Sequence, residues 1–294
     1  MNVVVFGCKG QLGRCLQDRA KGYVEKHGFN FFFFDRAQAD ISNFEQVNKS
    51  IVESNANIVI NAAAYTAVDK AETEVELAYA INATGPENMA KVCNKLDIPL
   101  IHVSTDYVFD GEATKPYTPE SPTNPQSVYG KSKLAGELAI EDILNKHVII
   151  RTAWVFSEYG NNFVKTMLRL GQERDELGIV ADQVGCPTYA GDLANNILNV
   201  LLEITEGCEN WGVFHYSSKE KMSWYDFAQT VFDTSMDLGL YGKSPIVKPI
   251  TTQMFLTPAK RPNYSVMDIS RFEISWKACD FDFKQSLSFV LKAL

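Results

Sequence analysis

Val3-Val4-Val5-Phe6-Gly7-Cys8-Lys9-Gly10-Gln11-Leu12-Gly13 opens the chain with four apolar residues followed by a G-x-x-G-x-x-G turn. The apolar run reads as a buried strand, and residues 11–21 carry the spacing of a helix. Glycines between two such elements let the backbone turn tightly and approach a pyrophosphate. The helix start adds unpaired N–H groups and partial positive charge. Gly7, Gly10, Gln11, Leu12 and Gly13 are therefore candidate phosphate-binding residues. A plainer reading exists for a glycine triplet, in which Gly13 only lets the helix pack against a strand.

Working outward, further short apolar runs at 31–34, 58–60, 100–103 and 148–150 alternate with helix-like stretches at 44–54 and 84–96, the first with Ser42 placed to cap it. Continuous apolar runs between amphipathic segments are the rhythm of buried parallel strands covered by helices on both faces. The fold class predicted is α/β, a doubly wound parallel Rossmann-type sheet with a smaller C-terminal substrate-binding lobe. An NAD(P)-binding domain is expected over residues 1–154. The lobe, over 155–294, is expected to interleave with the last sheet strands and to hold helices at 162–172, 192–202 and 223–232. Prolines at 116, 119, 122 and 125 mark residues 111–125 as a surface loop, and residues 245–262 are again dotted with prolines.

In such a sheet, ligands bind at the carboxyl ends of the strands. Asp35, at the end of the second run, would accept hydrogen bonds from the adenine ribose and favour NADH. The adjacent Arg36 would pair with a 2′-phosphate and favour NADPH. Both signals are present, so NADPH or NADH is expected without a choice between them. Asp40 and Ile41 are counted among the cofactor-binding residues, as are Ala63, Ala64, Tyr65 and Thr66, where small residues after the third run leave room for a flat cofactor.

The chemistry is expected on Tyr129 and Lys133, a Y-x-x-x-K pair on one face of a helix starting near Ser127. A phenol ordinarily titrates near 10, so ready proton exchange at neutral pH asks neighbouring groups for about 4 kcal/mol, part of it from the lysine cation. Thr105 and Asp106 follow the strand at 100–103, where a hydroxyl can hydrogen-bond a carbonyl that is being reduced. Asn82 lies in a helix, placed to hold a strand carbonyl or a water. Alone, each of these is as well explained by packing or capping; together they describe a reductase site.

Bulk composition narrows the partners. At 294 residues, 46% apolar and 22% charged, the chain is that of an ordinary globular protein. No apolar run approaches the roughly 18 residues of a membrane span. A formal charge of -8 makes nucleic acid an unsuitable partner. Six scattered cysteines show no metal-ligand spacing. The N-terminus carries no export pattern, so a cytoplasmic protein with no metal site is expected.

The longer strings 61–72 (NAAAYTAVDKAE), 104–111 (STDYVFDG), 128–137 (VYGKSKLAGE), 151–156 (RTAWVF), 160–163 (GNNF) and Arg261-Pro262 with Ser265 resemble the dTDP-4-dehydrorhamnose reductase family of extended short-chain dehydrogenases. The resemblance spans nearly the whole chain. It implies reduction of the C4 ketone of dTDP-4-dehydrorhamnose, or of a similar nucleotide sugar, by NADPH or NADH. Tyr129 would supply the proton, Lys133 would tune Tyr129 and hold the nicotinamide ribose, and Thr105 would polarise the carbonyl. Thr105, Asp106, Trp154, Asn162 and Arg261 are the implied substrate-binding residues. Trp154 would pack on the sugar and Arg261 would meet the diphosphate, a structural salt bridge being the alternative for that arginine. Some family members form dimers through Mg²⁺ held by an acidic residue in the helix after the glycine turn. Here that stretch reads Arg14-Cys15-Leu16-Gln17, so no metal is expected and a homodimer stays open. Rival readings are a reductase of another nucleotide 4-keto-sugar, a 4-epimerase, and a non-catalytic NADP-binding regulatory subunit such as that of methionine adenosyltransferase. A dehydratase is disfavoured because Tyr107 stands where those enzymes generally carry Glu.

Overall fold

Val3, Val4, Val5 and Phe6 have no exposed surface, because the strand they form is covered on both faces. That strand is β1 (Asn2–Phe6), in a computed structural model that describes residues 1–294. The chain continues through α1 (Gln11–His27), β2 (Asn30–Phe34), α2 (Phe44–Glu53), β3 (Ile58–Asn61), the short α3 (Val68–Ala71) and α4 (Val75–Tyr79), α5 (Gly85–Leu96), β4 (Leu100–Thr105), α6 (Val128–Ile143) and β5 (His147–Thr152). Beyond these come β6 (Val155–Phe156), α7 (Phe163–Glu173), β7 (Glu176–Val180), β8 (Val184–Gly185), β9 (Thr188–Tyr189) and α8 (Ala190–Thr205). The last elements are β10 (Gly212–His215), β11 (Met222–Ser223), α9 (Trp224–Asp237), β12 (Ile246–Ile250), α10 (Ser270–Trp276) and α11 (Phe283–Ala293).

Six strands pair in parallel in the order β10-β5-β4-β3-β1-β2. The chain leaves β1 for β2 on one side and returns to β3 on the other, so strand order reverses there and opens a crevice at the carboxyl ends of β1 and β3. Alternate side chains serve opposite layers. Val3 and Val5 pack with Leu12, Leu16, Leu193 and Ile197 of α1 and α8. Val4 and Phe6 pack with Val47, Ile51, Met89 and Ala90 of α2 and α5.

Residues beyond 154 do two things. Phe156, Val164, Leu177, Phe227, Phe232 and Leu287 build a separate apolar cluster, the core of a lobe. Strand β10 and helices α8 and α10 instead return to the sheet, where Phe214, Phe272 and Trp276 join the layer against Val148 and Ile150.

Three local expectations are corrected. Asn43, not Ser42, caps α2: its side chain accepts from the Gln46 N–H at 3.1 Å, while the Ser42 hydroxyl donates to Asp40 at 2.7 Å. The helix expected from residue 84 begins at Gly85 and is preceded by a π-helical turn over Ala80–Thr84. The proline-dotted segment contains β12, which pairs in parallel with β7 and sets Pro249 opposite Ile179. A proline lacks the ladder N–H but is tolerated in a strand with a free edge, which a two-stranded sheet provides.

Helix α6 is fixed to the sheet by charge as well as by packing. Arg151 of β5 donates to the Glu137 carboxylate from Nε at 3.1 Å and from Nη2 at 2.6 Å, with both side chains almost wholly buried. Removing one member of such a pair strands the other charge in a dry interior. Glu137→Ala should therefore lower the unfolding free energy by about 3 to 5 kcal/mol, read as an earlier midpoint in urea. A midpoint unchanged from the parent protein would show the pair to be dispensable.

Candidate active site

The crevice is a cavity of about 1100 Å³. Gly7, Gly10, Gln11 and Leu12 line it from the turn after β1, Asp35, Arg36, Asp40 and Ile41 from the segment after β2, and Ala63, Ala64, Tyr65 and Thr66 from the segment after β3. Tyr129 and Lys133 reach it from α6. Gly13 underlies the turn instead: a Cβ there would come within 2.2 Å of the Gly7 carbonyl oxygen. Gly7 holds φ at +86° and lies so close to β3 that a Cβ would sit 2.4 Å from the Ala63 nitrogen. These contacts bring the end of β1 and the start of α1 together, as the plain packing reading of Gly13 describes.

The residues fit a pyridine dinucleotide. Gly10 is the N-cap of α1 and provides no capping side chain, and the first turn of that helix carries no acidic residue. A Cβ on Gly10 would meet only the Gly7 oxygen, at 3.4 Å, so the turn faces open space. Uncapped N–H groups at the start of a 17-residue helix suit an anion.

Asp35 is already engaged. One oxygen accepts from the Ala37 and Gln38 N–H groups at 2.8 and 3.0 Å, and the other pairs with Lys9. The Lys9 ammonium, with those backbone donors, holds the Asp35 carboxyl below the usual carboxylate range. Arg36 is exposed and lies 3.7 Å from Asp40.

Tyr129 is buried, and burial pushes its phenol up, against a smaller opposing pull from the Thr105 hydroxyl. The expectation that Lys133 draws the phenol down is corrected here. The Lys133 Nζ donates to the Val103 carbonyl at 2.8 Å and lies 3.2 Å from His102 Nε2, turned toward β4 rather than the phenol. Burial pulls the Lys133 amine down to about 8. Tyr107 packs edge-on against Tyr129, with ring centroids 5.3 Å apart.

Among the implied substrate residues, Thr105 caps the short turn Asp106–Val108 by accepting from the Tyr107 N–H at 3.2 Å and donates to Asp106 at 2.9 Å. Asp106 is buried with its second oxygen unpartnered, and burial lifts its carboxyl to about 6. Trp154, at φ +49°, stacks on Trp224 with centroids 3.5 Å apart. Asn162 caps α7 and donates to Gln11 at 3.0 Å, a tie between the lobe and the start of α1. Arg261 departs from the expectation of a diphosphate ligand: it forms a 2.7 Å ion pair with Asp69 and donates to the Tyr107 hydroxyl at 3.0 Å, so its charge is compensated within the protein. Asn82 sits in the π-helical turn and grips both backbone groups of Tyr65, at 2.8 and 3.0 Å, together with the Ser132 hydroxyl.

Sequence reasoning overlooked Lys9, Asp69, His102 and the Glu137–Arg151 pair. A lysine inside a glycine turn and a histidine inside an apolar strand run were visible signals. Asp69 and Arg151 carried none, because each gains its meaning from a partner far along the chain.

The RmlD substrate binding domain family model matches residues 1–294. The chain is 40% identical over 286 residues to the dTDP-4-dehydrorhamnose reductase of Aggregatibacter actinomycetemcomitans, covering 97% of this chain and 96% of that protein. It superposes on the crystal structure of a dTDP-4-dehydrorhamnose reductase from Clostridium acetobutylicum with a TM-score of 0.90 and 42% identity, covering 99% of both chains. The corresponding Bacillus anthracis structure, in complex with NADP, gives a TM-score of 0.88 and 35% identity, covering 100% of this chain and 99% of that one.

A phenol raised by burial keeps its proton at alkaline pH. Ultraviolet tyrosinate titrations of the parent protein and of Tyr129→Phe should therefore coincide up to about pH 10, where ordinary tyrosines ionise. A deficit in the variant below that pH would place the Tyr129 phenol in the ordinary range.

Proposed function

The chain belongs to the dTDP-4-dehydrorhamnose reductase family, and from that membership we propose that it reduces the C4 ketone of dTDP-4-dehydro-β-L-rhamnose to dTDP-β-L-rhamnose, using NADPH in preference to NADH. The observation that carries this reading is a protonated phenol, Tyr129, buried beside the Thr105 hydroxyl at the wall of a cavity whose other end is an uncapped helix start. A reduction needs one proton for the oxygen that becomes a hydroxyl; Tyr129 carries one at neutral pH, and the charge of a bound cofactor and of Lys133 would have to lower its phenol for rapid transfer.

The turn at Gly7 to Leu12 would hold the pyrophosphate, and the segments after β2 and β3 would flank the adenosine. The bound dinucleotide supplies the hydride. Tyr129 would then act as proton donor to the substrate oxygen, and Thr105 would turn its hydroxyl from Asp106 to that oxygen as charge develops on it. Lys133, from the wall of the same cavity, would hold the nicotinamide ribose. Asp106, with an unpartnered buried oxygen, is available to a sugar hydroxyl. Trp154 offers an aromatic face near the sugar. With Arg261 committed to Asp69, its contribution is to fix Tyr107 and the loop that frames the site.

Two features support NADPH. The Asp35 carboxylate is occupied by Lys9 and by its own turn, which leaves it a poor acceptor for a ribose hydroxyl. Arg36, exposed and only loosely paired with Asp40, and Lys9, on release from Asp35, would bring two cations to a 2′-phosphate. A dehydratase reading is weakened by Tyr107, whose hydroxyl is bound to Arg261 and cannot act as a carboxylate base. We place the protein in the cytoplasm, since no helix is long and apolar enough to cross a membrane and all six cysteines are unpaired.

Purified protein incubated with dTDP-4-dehydrorhamnose should consume NADPH absorbance stoichiometrically. Tyr129→Phe should bind cofactor normally while turnover falls by about 10²- to 10⁴-fold; an unchanged rate sinks the mechanism. Replacing Lys9 and Arg36 together by alanine should reduce the preference for NADPH over NADH by about tenfold, measured as the ratio of kcat/KM values. A ratio that does not move would return the choice of cofactor to other residues.

A further inference from the structure

Asn61, His102 and Lys133 form a buried chain behind the cavity, each almost wholly inaccessible. Asn61 ends β3, His102 is the third residue of β4, and Lys133 comes from α6. The amide of Asn61 has one permitted orientation, because its Oδ1 accepts from the Ala63 N–H at 3.0 Å. Its Nδ2 therefore faces His102 Nδ1, at 3.0 Å, as a donor. A neutral imidazole has one N–H, so Nδ1 must be the acceptor and Nε2 must carry the hydrogen. That N–H points at Lys133 Nζ, 3.2 Å away. An ammonium has three donors and no acceptor, and would oppose it donor to donor. A neutral amine has a lone pair, accepts from Nε2–H, and still donates to the Val103 carbonyl at 2.8 Å.

We propose that Asn61 locks His102 in its Nε2–H tautomer, that this holds Lys133 as an uncharged amine at alkaline pH in the cofactor-free protein, and that Lys133 takes a proton from solvent when a pyridine dinucleotide binds there. The inference rests on the cofactor reading above. His102 and Asn61 are positioning residues: they touch neither cofactor nor substrate and act through Lys133.

The surrounding charges leave this lock undisturbed. The His102 imidazole is wholly buried, and that burial holds it well below its ordinary range, so it stays neutral. On α6, Glu137 raises the Lys133 amine, less than burial lowers it, and that carboxylate is bound by Arg151 of β5. Tyr129, on the same helix, is uncharged. The facing residue on β3 is the neutral Asn61, and the π-helical turn contributes only the neutral Asn82 through Ser132. The one fixed anion acting on Lys133, Glu137, is shared with Arg151 and outweighed by burial, whereas the phosphates of a bound dinucleotide in the same cavity would add further support to an ammonium.

The proton can be counted. Calorimetric titration with NADPH in buffers of different ionisation enthalpy, at about pH 9, should show uptake of most of one proton per cofactor bound. Asn61→Asp offers acceptors to both Ala63 N–H and His102 Nδ1–H, so it reverses the tautomer, gives Lys133 a lone pair to bind as an ammonium, and should abolish the uptake while cofactor still binds. ¹⁵N NMR of histidine-labelled parent protein, with His102 assigned by its loss in His102→Gln, should show Nε2 protonated and Nδ1 bare. Absence of uptake in the parent protein, unchanged uptake in Asn61→Asp, or a protonated Nδ1 would each overturn the lock. The NMR result stands even if Asn61→Asp fails to fold. Neither readout needs turnover: a protein that binds NADPH with proton uptake but leaves the keto-sugar untouched would refute the substrate alone. Failure to bind NADPH would refute the cofactor reading and leave the NMR to judge the tautomer.

Discussion

A parallel sheet covered on both faces has nowhere to expose polar chemistry except the edge formed by its strand ends, and the other features of this protein follow from that constraint. Burial of β1, β3, β4 and β5 between helical layers leaves their carboxyl ends as the place where Gly7, Ala63, Ser104 and Thr152 line one cavity. Reversal of strand order at β1 splits the helices to opposite faces there, and the gap between them is the cavity. Close backbone contact at Gly7 and Gly13 then determines where the uncapped start of α1 points.

Desolvation sets the protonation states along that edge. The same burial pushes the Tyr129 phenol up and the Lys133 amine down to about 8, so each is moved toward its neutral form, the amine reaching it only at alkaline pH. Spacing on a helix suggests an ammonium lowering a phenol, but the side chains diverge: Tyr129 meets Thr105, and Lys133 turns to His102 and Val103. Helix α6 can hold such groups in a dry interior because it is anchored by a satisfied buried ion pair, Glu137 with Arg151, and by the Asn82–Ser132 contact. Lys133, Glu137, Arg151 and Asn82 each have a partner there, the condition under which burial does not unfold the site, and Ser104 Oγ, Asp106 Oδ2 and Thr152 Oγ1 are the buried exceptions.

The chain after residue 154 serves two cores at once. Strand β10 and helices α8 and α10 complete the sheet, while β7, α7, α9 and α11 enclose the aromatic cluster of the lobe. Asn162 and Ser157 both reach Gln11, so the lobe is hydrogen-bonded directly to the start of α1 after the glycine turn. Asp69 with Arg261 makes a second tie, from the segment after β3 to the proline-rich segment near the end of the chain.

Sequence by itself determined the five N-terminal strands, the glycine turn and the helix bearing Tyr129 and Lys133. Each of these is written in contiguous residues whose period or spacing has one structural solution. It also carried the family resemblance, in strings such as 104–111 and 128–137. Tertiary structure alone decided the rest. The strand at 246–250 was hidden by Pro249, which only a free edge makes tolerable. The partner of Arg261 is 192 residues away, and that of Lys9 is fixed by the turn after β2. The neutral state assigned to Lys133 depends on an amide in β3 that orients an imidazole in β4. Local pattern specifies which residues form an element. Charge, tautomer and hydrogen-bond direction depend on what the fold brings alongside them, because those energies arise between groups that sequence keeps apart.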